Sequence, residues 1–165
     1  MRTTFDLRQI ESTPAGAVVS IGVFDGVHQG HQAILRANVA RALELGAEPT
    51  VVTFRRHPKR VILGRAPKTL TTLDHRLELF RAAGIRHTVA LDFDSDLREQ
   101  SAVQFTDNCL VRGLRARHFV LGFDSKFGHD RKGGAQLLRE LGHPVDVVGQ
   151  VIVGRRPVSL SLIHI

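Results

Sequence analysis

The chain has 165 residues, 42% apolar and 24% charged, the ordinary balance of a soluble globular protein with room for one domain. Lys and Arg number 23 against 16 Asp and Glu, a formal charge of +7 that suits an anionic partner. No stretch nears the roughly 18 consecutive apolar residues of a membrane span. The opening "MRTTFDLRQIESTP" carries Asp6 and Glu11 where a secretory signal needs an apolar centre, and one cysteine, Cys109, excludes an internal disulfide. These features point to the cytoplasm and away from membranes.

Two kinds of segment alternate along the chain. "AVVSIGVF" (17–24) is a β-branched, nearly continuous apolar run, the pattern of a strand buried on both faces. "HQAILRANVARALELG" (31–46) follows with apolar residues near helical spacing and a closing glycine. "TVVTF" (50–54) predicts a strand, and "TLDHRLELFRAAG" (72–84) a helix that starts at a Thr cap and stops at a glycine. Next come a strand over 87–93, a helix of weaker propensity over 102–113, a strand over 118–123, a short helix over 135–142 and a last strand over 145–153. Strands alternating with helices predict an α/β fold with a mainly parallel five-stranded sheet flanked by helices. Ligands of such folds sit beyond the carboxyl ends of the strands, so the junctions after Phe24, Phe54 and Leu121 are the candidates.

The first junction is "GVFDGVHQGH" (22–31). A helix N-terminus offers unpaired N–H groups and the positive end of the macrodipole, which together bind phosphate. Gly26 and Gly30 let the backbone come close to such a group. His28 and His31 stand one helical turn apart on one face, placed to donate to phosphate oxygens. A turn that merely bends is the other ordinary reading of the same glycines. A metal pair needs further ligands; Asp25 is near, but no longer metal-binding pattern accompanies it, so no protein-held metal is expected. At the second junction, "TFRRHP" (53–58), Phe54 offers an aromatic face and His57–Pro58 an extended turn, although a core phenylalanine and an incidental turn would read the same. At the third, "LGFDSKFGHDRKGG" (121–134), Phe127 can present a ring, Asp124 can accept from a polar ring edge and Arg131 can meet a phosphate. The basic residues are dispersed and neither Trp nor Tyr occurs, so no nucleic-acid partner is expected.

Phe24 to His31 resembles the HxGH signature of the nucleotidyltransferase superfamily. In its fuller form, GxFDGVHxGH, it is similar to the adenylyltransferase domain of bacterial bifunctional riboflavin kinase/FAD synthetases. "TFRRHP" resembles the TFxPHP segment of that family, with Arg56 in place of proline. "LGFDSKFGHDRKGG" resembles GxDFxFGxxRxG, with Ser125 in place of the usual aromatic. The resemblance spans roughly residues 17–158. It implies a Rossmann-like nucleotidyltransferase fold and transfer of AMP from ATP to FMN, giving FAD and pyrophosphate, with Mg²⁺ accompanying ATP. It implies His28 and His31 as catalytic donors. Gly22, Phe24, Asp25, Gly26, Gly30 and Ser159 would contact ATP, and Phe54, His57, Pro58, Asp124, Phe127 and Arg131 would contact FMN.

The chain departs from the pattern near residue 159, where the family carries an SSTxIR-type segment and this sequence reads "VSLSLIHI". Ser159 matches; the threonine and arginine do not. The resemblance thus divides the chain into an adenylyltransferase domain over 1–158 and an atypical stretch over 159–165. Residues 160–165 are expected not to be the natural continuation, and a riboflavin kinase domain is expected to follow in the native chain. The alternatives are another HxGH nucleotidyltransferase and a catalytically impaired fragment that binds flavin or nucleotide.

Overall fold

The computed structural model describes residues 1–24, 29–55, 72–92, 97, 99–128, 131–149 and 162–164, of which 29, 30 and 162–164 are described by their backbone alone. In chain order the elements are β1 (Arg2–Thr4), β2 (Ala17–Ile21), α1 (Gln29–Leu45), β3 (Glu48–Phe54), α2 (Leu73–Ala83) and β4 (His87–Leu91). They continue with α3 (Ala102–Phe105, prolonged by wider π-type turns over Thr106–Gly113), β5 (Ala116–Gly122), α4 (Ala135–Glu140), β6 (Val145–Val148) and β7 (Leu162–His164).

The strands form one sheet of order β1-β4-β3-β2-β5-β6-β7. Every pairing is parallel except β6 with β7. All five predicted strands are present, but five is the wrong count. β1 joins beside β4 at one edge and β7 beside β6 at the other. β1 is three partly exposed residues, "RTT", without the apolar run that marks a central strand, so periodicity cannot find it. The predicted strand over 145–153 is shorter, ending at Val148, and its last four positions lie outside the described residues.

Alternate residues of each strand enter different cores. Val19, Ile21, Val52, Val89, Leu91, Phe119 and Leu121 pack under α3 and α4 with Phe105, Leu110 and Leu138. On the other face Val18, Val120 and Val148 meet Ala33 and Ala37 of α1, while Val51 joins Leu35, Phe80 and Phe24. Helices on both faces are why 17–21 reads as an unbroken apolar run rather than an alternating one. Asn38, buried in the middle of α1, donates to Ser20 Oγ (2.9 Å), Thr50 O (3.1 Å) and Val18 O (3.2 Å), and so sets α1 along β2 and β3.

The strand order places the site. From β2 the chain steps through α1 to β3 and through α2 to β4 on one side. It then returns to β5 on the other side of β2. The order therefore reverses between β2 and β5, and their carboxyl ends border the crevice where open α/β sheets take ligands.

Candidate active site

β2 ends at Ile21, but Gly22 keeps the sheet direction by donating its N–H to Val52 O (3.0 Å). A Cβ on Gly22 would stand 3.0 Å from a carbon of the Phe24 ring, so glycine is what allows that ring to fold back against the chain. Phe24 has φ +57°, a left-handed conformation that costs a bulky side chain on the order of 1–3 kcal/mol. Packing holds it there. The ring is 5% exposed, among Leu35, Val51, Phe80 and Ile85, and edge-on to Phe80 at 5.4 Å. The side chain expected to touch ATP is therefore a wedge that turns the chain from β2 toward α1.

Gln29 and Gly30 form the first turn of α1, which puts Gly30's backbone among the N–H groups a phosphate would meet. His31, the third residue of the helix, is half-buried with its imidazole edge-on to Phe24, ring centres 5.3 Å apart. His31 thus stands beside the left-handed turn. Asp25, Gly26 and His28 lie outside the described residues, as do His57, Pro58 and Ser159.

The second junction is held by a residue the sequence reading passed over. Phe54 closes β3 half-buried, packed against the core under α3 and opposite Leu91 of β4. Beside it, Arg76 of α2 is 4% exposed and reaches the ends of both strands. Its Nη1 donates to Val23 O (2.7 Å) and Thr53 Oγ1 (3.1 Å), and its Nη2 to Arg55 O (3.4 Å). Thr53 Oγ1 in turn donates to Val23 O (3.0 Å). Spacing carries the missing signal: Arg76 precedes buried Phe80 by four residues, so both share the inward face of α2.

The third junction leaves β5 at Gly122. A Cβ there would stand 3.0 Å from the tip of the Ile34 side chain of α1, which packs over the strand end. Ser125 donates its N–H to Gly122 O (3.1 Å) and its hydroxyl to Ile21 O (3.4 Å). That second bond crosses the crevice and ties the β5 loop to β2. Asp124 and Arg131 are exposed on this loop, and Arg131 has φ +54°. Phe127 is different. It is 5% exposed, 5.8 Å from the Phe105 ring, and paired through both backbone groups with Gly133. Its ring belongs to the core and anchors the loop. Among the described residues of this loop, Phe123 is exposed, at 58%.

The structure therefore gathers Gly22, Phe24 and His31 at the end of β2, Phe54 beside them at the end of β3, and Asp124 and Arg131 on the β5 loop bonded across to β2. Glycines, a helix N-terminus and an imidazole thus lie at the end of β2, and an exposed carboxylate and guanidinium on the loop after the neighbouring β5. That arrangement can hold a phosphate chain and orient a polar ring system near it.

Known proteins share both this order of segments and this fold. A relative from Geobacillus thermodenitrificans is 39% identical over 141 residues, covering 84% of this chain and 75% of its own length. Proteins named bifunctional riboflavin kinase/FMN adenylyltransferase are 35% identical in Pseudomonas fluorescens (86% of this chain, 46% of that protein) and 31% identical in Escherichia coli K12 (77% and 41%). The chain thus spans less than half the length of those two. A solved structure from Streptococcus pneumoniae, named a macrolide-efflux protein, superposes with a TM-score of 0.78 at 28% identity, over 90% of this chain and 49% of that one. The FAD synthetase family pattern runs through residues 10–161, across all three junctions, and the chain belongs to that family.

Proposed function

We infer that this chain is an FMN adenylyltransferase domain, a nucleotidyltransferase that joins FMN to the AMP portion of ATP. A phosphate oxygen of FMN attacks the α-phosphorus of ATP, the bond from that phosphorus to the bridging oxygen of the β-phosphate breaks, and pyrophosphate leaves. The attacking phosphate is already an anion at neutral pH, so the step needs no general base. Catalysis then rests on positioning and on stabilising charge at the α-phosphate and the leaving group.

The single observation that carries this reading is the reversal of strand order between β2 and β5. It supports the reading because β2 and β5, the strands that lead into "GVFDGVHQGH" and "LGFDSKFGHDRKGG", are parallel neighbours although about a hundred residues separate them in the chain. In the reading, the backbone at Gly22 and Gly30 approaches ATP, and His31, together with His28 and Asp25–Gly26, meets its phosphates. Phe54, His57, Pro58, Asp124 and Arg131 hold FMN, and Phe127 serves by anchoring their loop. Ser159 completes the ATP side. Mg²⁺ arrives with the ATP phosphates, as part of that substrate. No helix among the described residues is long and apolar enough to cross a membrane. A cytoplasmic location is part of the proposal and rests on the single cysteine of the sequence. The name of the longer relatives pairs this activity with a riboflavin kinase, and we propose the same pairing for the native protein.

Incubation with FMN, Mg²⁺ and ATP labelled at the α-phosphate is expected to yield labelled FAD and an equal amount of unlabelled pyrophosphate. Loss of one charge-stabilising donor typically costs about 10²–10³ in rate, so His31→Ala is expected to fall by at least about tenfold. FMN binding without any labelled FAD would instead identify a flavin-binding fragment. Turnover unchanged in His31→Ala would remove the donor role.

A further inference from the structure

We propose that Arg76 is the positioning residue that fixes the turn leaving β2 and, through Phe24, the orientation of the His31 imidazole; the catalytic consequence rests on the adenylyltransferase reading. Three observations combine. First, the turn is strained, because Phe24 holds φ +57° without being glycine. Such a conformation persists only where surrounding contacts over-determine it. Second, the carbonyl immediately before it, Val23 O, accepts from both Arg76 Nη1 (2.7 Å) and Thr53 Oγ1 (3.0 Å). Since Nη1 also donates to Thr53 Oγ1, the three groups close a triangle that fixes the direction of the Val23 carbonyl. Third, the far side of the turn is the His31 ring, set edge-on against Phe24.

The guanidinium has properties this task requires. It is planar, so one nitrogen can meet Val23 O and Thr53 Oγ1 while the other reaches Arg55 O, just after β3. One buried side chain thereby spans the carboxyl ends of β2 and β3, the two strands whose junctions carry "GVFDGVHQGH" and "TFRRHP". A lysine has the charge but a single nitrogen, and cannot serve both ends at once. Arg76 itself comes from α2, so the helix that follows the second junction sets the geometry of the first. Release of the Val23 carbonyl would let Phe24 relax toward ordinary φ, rotating its ring away from Phe80 and His31. A misplacement of about 1 Å in a positioned group costs on the order of 10²-fold in rate.

The test uses imidazole NMR and initial rates on Arg76→Lys, Arg76→Met and Thr53→Val. His31 is assigned by its disappearance in His31→Ala. Its ring protons sense the Phe24 ring current, whereas His87 and His118, at the amino ends of β4 and β5, serve as internal references. We expect the His31 resonances to move in the Arg76 variants while those of His87 and His118 stay, and we expect kcat to fall by about 10²-fold. The KM values for ATP and FMN are expected to change far less than kcat, the sign of lost alignment rather than lost binding. Leu114→Ala, a truncation in the core near the amino end of β5, controls for lost stability and is expected to move neither readout. If Arg76→Met fails to fold, Arg76→Lys and Thr53→Val carry the test. Unmoved His31 resonances in the folded variants overturn the proposal, as does an unchanged kcat in Arg76→Lys or an equal effect in Leu114→Ala. If the parent chain makes no FAD, it is the adenylyltransferase reading that fails, and the resonances alone decide the role of Arg76.

Discussion

His87 is 2% exposed, with Nε2 3.0 Å from Thr4 Oγ1 and Nδ1 3.4 Å from Nη2 of Arg2. The Glu48 carboxylate stands 3.6 Å from the same Nδ1, so Arg2 and Glu48 act on the ring in opposite directions. Burial lowers its pKa below the usual 6.5, the Arg2 charge adds to that, and Glu48 opposes it. The unfolded chain therefore binds this proton at a higher pH than the native one does. Stability is full above about 6.5 and declines as pH falls from there toward the lowered native value. Urea midpoints compared at pH 8 and pH 5.5 should drop for the parent chain and drop less for His87→Gln; equal slopes would remove His87 as the cause. Arg76 makes the complementary point about residues. Its charge suggests the surface, its spacing with Phe80 suggests the interior, and the spacing is right because carbonyls at two strand ends receive its donors.

Among elements, the loop after β5 separates what composition suggests from what packing decides. Its glycines read as freedom to bend, yet Gly133 is there for room. A Cβ would stand 2.5 Å from a carbon of the Phe127 ring and 2.6 Å from that residue's carbonyl oxygen. Gly133→Ala should therefore cost about 1–3 kcal/mol, the usual range for overpacking, read as a lowered thermal or urea midpoint. A midpoint equal to the parent's would mean that the Phe127 ring gives way. Phe127, which the sequence offers as a ring for flavin, is 5% exposed for a related reason. An aromatic in a glycine-rich loop can face either way, and only the position of Phe105 shows that it faces inward. Helix ends were more legible, because caps are local chemistry. Thr72 and Ser101 accept from the backbone three residues on, Gln104 completes a capping box, and Gly84 closes α2 with φ +101°. The widening of α3 into π-type turns from Thr106 left no mark in the pattern, where the hydroxyl of Thr106 bonds back to Ala102 O at 2.8 Å.

Over the whole molecule, one ion cluster ties α1 to the far strands. Arg41 of α1 donates to the buried Asp146 of β6 (2.8 Å), and His118 Nε2 of β5 stands 3.0 Å from the same oxygen. Burial pushes the Asp146 carboxyl up, but the hydrogen bond from Arg41 and the neighbouring His118 outweigh it and hold the pKa below the ordinary carboxylate value. A depressed native pKa means stability that is complete above the unfolded value, near 3.8, and lost as pH falls through the native one. Asp146→Asn removes one partner of a buried pair, so a loss of about 3 kcal/mol is expected at neutral pH, together with a shallower fall in stability below pH 4. Chemical denaturation across that range measures both; an unaltered midpoint at neutral pH would mean that the cluster adds nothing. The sequence by itself determined the alternation of strands and helices and the burial of the central strands on both faces. Hydrophobic period, caps and glycines act within a few residues, so they can be read along the chain. Tertiary structure alone decided that β5 returns beside β2, that Arg76 grips both strand ends and that Phe127 turns inward. Each of these depends on contact between segments distant in sequence, set by how crossovers stack strands into one sheet, and local patterns carry no record of it.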